Sequence, residues 1–171
     1  MADSAWVDLA PLEARLQETV VPDASAPLRT HLLNVDSASS GSCLLVSFPV
    51  GWERGSGTYS CVEHAVVLDG SIELDGDLWE PGTAFVVPAD APRRRTYSPN
   101  GALAVAWFSA TPRWTGGESH MQAAPSSAAW AGDLADANAA CDEVDAVGRR
   151  WRHLPAGSNV GDGFLRYSWI H

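Results

Sequence analysis

The sequence contains no lysine. All eleven basic residues are arginine, against 21 acidic ones, and the net charge is −10. That balance argues against nucleic acid and anionic membrane as partners. An all-arginine basic set suggests a GC-rich bacterial genome. No stretch approaches the roughly 20 apolar residues of a membrane span. The opening, MADSAWVDLAPLEARLQE, lacks a basic and then apolar leader, so no secretory signal is expected and a cytoplasmic location is. Cysteine is scarce. Cys43, Cys61 and Cys141 are odd in number and carry no CxxC spacing, which fits reduced thiols. His31, His64, His120, His153 and His171 show no HxH or HxxxH spacing, so each reads as structural or exposed. His31 and His64 are the pair that strand pairing alone would have to bring together.

Tryptophan, by contrast, is abundant, at eight in 171 residues. Trp packs cores and also lines ligand pockets. A chain of this length forms one domain and buries roughly two thirds of its unfolded surface. Residues 1–7 read as a frayed tail. Leu9, Leu12, Leu16 and Val20 stand at helical spacing, which predicts a short helix over 8–20. The two prolines in 21–27 mark a linker.

From residue 28 the apolar period becomes two. Strands are expected over Leu28–Asn34, Cys43–Phe48, Thr58–Leu68, Ser71–Leu74, Thr83–Val87, Arg94–Tyr97 and Ala102–Ser109. Turns are expected at 36–41, at Asp69-Gly70, at 75–77 and at 98–101. Short strands at this spacing indicate an antiparallel sandwich or barrel. Residues 110–128 read as loop. The Ala-rich, acidic stretch 129–147 predicts a helix, and 151–171 returns to strand character. That tail pairs with a barrel edge or is the remnant of a second half. The organisation expected is thus a helix and linker over 1–27, a β core over 28–110, and an extension over 111–171.

The stretch Gly51–Tyr97 carries the functional signal. Gly51 is followed by five residues, then Gly57-Thr58-Tyr59, three residues, Glu63, six residues and Gly70. Gly82 is followed by five residues, Pro88-Ala89-Asp90, two residues, Arg93, three residues and Tyr97. These spacings resemble the two motifs of the cupin superfamily, whose members are jelly-roll barrels built around one pocket. The resemblance spans about a quarter of the 171 residues. It implies a mainly β, cupin-like antiparallel barrel, with a short N-terminal helix and a C-terminal helix plus strands. In the family, histidines stand at the positions of Gly57, Tyr59 and Arg93, so Glu63 alone matches the usual ligand set. No metal and no other cofactor is expected at that site, because one carboxylate beside an arginine falls short of the roughly three ligands a catalytic metal needs.

If 57–67 is one continuous strand, Gly57, Tyr59, Cys61 and Glu63 share the inner face and His64 points away. The same counting puts Arg93, Arg95 and Tyr97 on one face and Arg94 on the other. Glu63 is then a buried acid or base, or half of a structural salt bridge. Arg93 offers a planar fork to an oxyanion or carboxylate, or belongs to a solvated charge run. Tyr59 orients or protonates a substrate, or is a core aromatic. Cys61 reads as a buried thiol in the pocket wall, and Trp52 and Trp107 as core or ligand wall.

Glu63, Tyr59 and Arg93 are the catalytic candidates; Arg95, Tyr97, Trp52, Cys61 and Trp107 are the substrate-binding ones. By resemblance the chain is a metal-independent enzyme. It would isomerise, cyclise or dehydrate a small, partly apolar metabolite, in the manner of an isomerase, cyclase or lyase; the tryptophan-rich composition suits a compound of bacterial secondary metabolism. Two other readings stand beside this one: a non-catalytic binding or sensing module, and a metal-dependent dioxygenase or isomerase with displaced ligands. Cupins commonly dimerise through barrel edges, so the resemblance also implies a homodimer.

Overall fold

The computed structural model describes residues 4–8, 10–117, 131–133, 143–144, 149–154 and 164–169, with side chains over 11–117. The chain divides into two units, Leu16–Asp133 and a second made of Met1–Arg15 with Leu134–His171. Every pairing in the two larger sheets of the first unit is antiparallel.

In the larger unit the strands are β2 (Gln17–Thr19), β3 (Leu28–Val35), β4 (Ser42–Phe48), β5 (Trp52–Arg54), β6 (Gly57–Tyr59), β7 (Glu63–Gly70), β8 (Ile72–Leu74), β9 (Asp77–Trp79), β10 (Thr83–Val87), β11 (Thr96–Ser98), β12 (Ala102–Phe108), β13 (Trp114–Gly116) and β14 (Ala131–Asp133). One sheet has the order β14-β10-β7-β12-β4-β3-β2, a second β5-β11-β8-β9, and β13 pairs with β6. The first two sheets share one apolar core. Val46, Ala65, Val67, Phe85, Ala104 and Phe108 come from one side and Trp52, Ile72 and Leu74 from the other. Strand alternation explains this, since every second side chain of each strand turns inward. The smaller unit holds β1 (Ser4–Asp8), α1 (Ala10–Glu13), β15 (Glu143–Val144), β16 (Arg149–Leu154) and β17 (Phe164–Trp169), with sheet order β1-β17-β16-β15. No helix among the described residues is long and apolar enough to cross a membrane.

The motif glycines have a backbone cause. Gly51, Gly70 and Gly82 have φ of 73°, 69° and 84°, a region that residues with a Cβ rarely enter. Asp90 stands where the second motif has its last glycine, and it too is left-handed, with φ 58°. A short polar side chain is among the few that tolerate that conformation. Asp75-Gly76, at φ 55° and 100°, forms the two-residue turn between β8 and β9.

Several expectations are corrected. Residues 4–8 are a strand paired with β17, not a frayed tail. The helix predicted over 8–20 is one turn, Ala10–Glu13. Gln17–Thr19 pairs instead with β3, and Val20 is 81% exposed, so it ends no buried helical stripe. Asp69-Gly70 is not a hairpin turn: β7 and β8 belong to different sheets. Gly70 packs against the Gly101 backbone, 2.8 Å from Ala102 Cα by the position its Cβ would take. The C-terminal strands pair with β1 rather than with a barrel strand. Within 129–147 the described residues, 131–133 and 143–144, are strands; the rest lie outside the described residues, as do Cys141, His120 and His171.

Candidate functional site

Between the two sheets lies a cavity of about 350 Å³. Its body is apolar, formed by Leu28, Leu44, Val46, Phe48, Ile72 and Phe85 among others, and its polar wall holds Arg54, Tyr59, Glu63 and Arg93. Each of these four is delivered by a distinct local device.

Glu63 opens β7, where Glu63 and Ala65 face the cavity and His64 the opposite side of the sheet. Arg93 is held by a reciprocal pair of backbone hydrogen bonds with Gly57, 2.9 Å each way. Its Nη1 forms an ion pair with Glu63 Oε2. Arg54 ends β5, where Trp52 and Arg54 point inward and Glu53 outward. Its Nε donates to Pro22 O (3.0 Å), and its Nη1 donates to the Tyr59 hydroxyl (2.6 Å). Its guanidinium also stacks 3.5 Å over the Trp114 ring. Both guanidinium carbons lie 4.9 Å from the Tyr59 ring centroid, a cation–π arrangement made stronger by burial.

An arginine can only donate, so the Tyr59 oxygen accepts from Arg54 and the phenolic proton is left for another acceptor. Burial, and then the negative charge of Glu63, raise the Tyr59 pKa above its ordinary value. The phenol therefore stays protonated across the neutral range. Burial lowers the Arg54 pKa, against the pull of Tyr59 and Glu63; guanidinium remains the charged form at neutral pH. Arg54 Nη2, Arg93 Nε and Arg93 Nη2 are buried without a partner among the described residues. Each such buried donor costs about 1–3 kcal/mol when left unpaired.

The continuous strand expected over 57–67 is broken. β6 ends at Tyr59, and Ser60–Val62 is tied by Ser60 N to Arg113 O and Val62 N to Ser109 Oγ, 3.0 Å each. Tyr59 and Glu63 still reach the cavity, whereas Cys61 packs in the core beside it. The run 93–97 is bent because Asp75 Oδ1 accepts from both Arg94 N (2.7 Å) and Arg95 N (2.8 Å). That bend breaks the alternation. Arg95 turns outward, pairs with Glu53 and Glu73, and covers the Tyr97 ring. Neither Arg95 nor Tyr97 lines the cavity, and Trp107 lies on the far face of its strand against His64. Trp52 does line it, with its Nε1 donating to Ala26 O at 2.8 Å. His31 and His64 do not meet, since β4 and β12 stand between their strands.

Sequence reasoning missed Arg54 and Trp114. Trp114 sits in the stretch read as loop, and Arg54 in 49–57, which likewise reads as loop between the expected strands. The signal for Arg54 is the alternation Trp52-Glu53-Arg54, which is strand-like despite its length.

The donor set does not fit a metal. Tyr59, Glu63 and Arg93 supply a single carboxylate, already paired with a guanidinium. Among the described residues no group of three His, Cys, Asp or Glu converges. The first histidine position of the motif is moreover filled. A Cβ on Gly57 would overlap Trp114 Cζ2 and lie 2.6 Å from both Trp114 Cε2 and Thr115 O. Gly57→His is expected to destabilise the protein by about 1–3 kcal/mol and to gain no metal, as urea denaturation and elemental analysis would show. A variant as stable as the parent would mean the indole moves aside freely.

No protein-family model matches the sequence, and no curated protein matches it. Solved structures do. A dioxygenase candidate from Nostoc punctiforme superposes with a TM-score of 0.60 at 17% identity, over 98% of this chain and 61% of that one. An acetylacetone dioxygenase candidate from Methylibium petroleiphilum gives 0.53 at 14% identity, over 68% and 83%. The acetylacetone dioxygenase of Acinetobacter johnsonii gives 0.51 at 13% identity, over 71% and 82%. This chain thus spans less than two thirds of the Nostoc protein. At these identities the likeness is one of fold.

Proposed function

We propose that this chain, whose fold is cupin-like, is an enzyme that moves protons on a small, partly apolar metabolite without a metal. The outcome is an isomerisation, cyclisation or dehydration. One observation carries the reading: Glu63, the one carboxylate lining the cavity among the described residues, is ion-paired to buried Arg93 in the same wall as the phenol of Tyr59. Glu63 takes a proton from a carbon beside a carbonyl, becoming the neutral acid and leaving an enolate. Arg93 holds the oxyanion or the carboxylate of the substrate with its unpartnered nitrogens. The proton then returns from Glu63 to another carbon, or Tyr59 protonates a departing hydroxyl, which leaves as water. In the latter case the phenolate regains its proton from Glu63. The dioxygenase names of the structural neighbours favour a metal-dependent reading, and the residues at 57, 59, 63 and 93 oppose it.

The test is conversion of compounds in a bacterial metabolite extract, followed by mass spectrometry, with protein purified and assayed in chelator. A compound consumed by the parent and spared by Glu63→Gln supports the proposal. Conversion that needs added iron or manganese overturns its metal-free part. A compound retained by the protein and released unchanged overturns the catalytic part in favour of a binding module.

A further inference from the structure

The polar wall of the cavity carries more positive charge than its own residues neutralise. Arg54 and Arg93 are 4% and 5% exposed, and Glu63 is the single carboxylate among the described lining residues. Glu63 pairs with Arg93. Among the described residues the partners of Arg54 are a carbonyl, a phenol and an indole face, none of them an anion. Asp23, exposed at the rim, accepts instead from Trp114 Nε1 at 2.9 Å. Among the described residues, two cations and one anion leave one positive charge in a mostly apolar space.

The atoms left without partners are as specific as the charge. Arg93 binds Glu63 through Nη1, while its Nε and Nη2 have no partner among the described residues. Nε and Nη2 form one edge of the planar guanidinium, spaced to meet the two oxygens of one carboxylate. Arg54, a residue of the same wall, adds a third unpartnered donor, Nη2. Phosphate would bring a second negative charge and a polar body; a monoanion with a hydrocarbon body matches both the charge and the lining.

We infer that the cavity takes an apolar carboxylate, its two oxygens on the Nε/Nη2 edge of Arg93, with Arg54 Nη2 as the added donor and the hydrocarbon against Leu44, Val46, Phe48 and Phe85. This deepens the reading of the cavity given above by naming the class of molecule that enters it. Arg54 is then a specificity residue, selecting the ligand by its charge.

The experiment is calorimetric titration of the full chain with octanoate, decanoate and phenylacetate, each against its primary amide. Carboxylates are expected to bind about 10- to 100-fold more tightly than the amides. Arg54→Met is expected to erase most of that preference. Glu63→Gln, which removes a negative charge from the wall, is expected to bind the carboxylates at least as tightly as the parent. The double variant Glu63→Gln/Arg93→Met tests the Arg93 edge without stranding a buried carboxylate, and should lose the preference. Equal affinity for acid and amide, no binding by any carboxylate, or an unchanged preference in Arg54→Met would overturn the inference. Turnover lost in Glu63→Gln without a carboxylate preference would overturn this inference alone. A carboxylate preference with turnover indifferent to Glu63→Gln would overturn the acid–base reading alone.

Discussion

Glu63→Gln is expected to lower turnover by roughly 10²–10⁴-fold, the span usual for a general acid–base group. The change is nearly isosteric and removes the ability to take up a proton. The substituted amide would still present a carbonyl oxygen to Arg93 Nη1, so the fold retains that hydrogen bond in neutral form. The stability loss expected is about 3 kcal/mol, the low end for breaking a buried ion pair, because Arg93 keeps a neutral acceptor but loses its counter-charge. Measuring turnover and denaturation on the same preparation separates the two effects. A rate within a few-fold of the parent would remove Glu63 from the chemistry and leave the ion pair as a structural device.

Arg93→Met is expected to have the largest effect on stability, about 3–5 kcal/mol, the cost usual for breaking a buried ion pair by removing one partner. Glu63 is only 13% exposed, so its carboxylate would be left in an apolar wall with little water. The backbone bridge between Arg93 and Gly57 does not involve the side chain, so the loss reports the guanidinium itself. Adding Glu63→Gln to Arg93→Met removes the stranded charge and should recover most of the stability, a strong coupling between the two sites. Urea denaturation of the four proteins closes the cycle. If Arg93→Met alone stayed within about 1 kcal/mol of the parent, the pair would behave like an exposed surface bridge.

The sequence was most legible where backbone geometry restricts the residue. Gly51, Gly70 and Gly82 are recognisable because each occupies a left-handed conformation, and from them the motif register follows. That register brought Tyr59, Glu63 and Arg93 to one cavity, although the continuous strand used to count them does not exist. Strands paired on both sides, such as Thr83–Val87 and Ala102–Phe108, kept their expected limits within a residue. Legibility failed where a distant partner decides the local shape. Alternation assigned Arg95 to the inner face, but Asp75 gathers two successive backbone N–H groups and turns it out. The apolar spacing of Leu9, Leu12, Leu16 and Val20 described a helix, but pairing with β3 claims Gln17–Thr19. Arg54 lay in a stretch too short to read as a strand, and its value depends on Trp114, sixty residues further along the chain.

The contact between Gly57 and Trp114 has a consequence for how this site can change over generations. A histidine at 57 meets both the Trp114 indole and the Thr115 carbonyl, so a smaller residue at 114 relieves only part of the overlap. A smaller residue at 114 takes away the surface on which Arg54 rests, and is penalised while Arg54 remains. Each single step toward a cupin metal-binding pattern thus costs stability before any ligand is gained. Placing a histidine at 57 calls for coordinated changes around Trp114 and Arg54, so the present arrangement resists change one residue at a time.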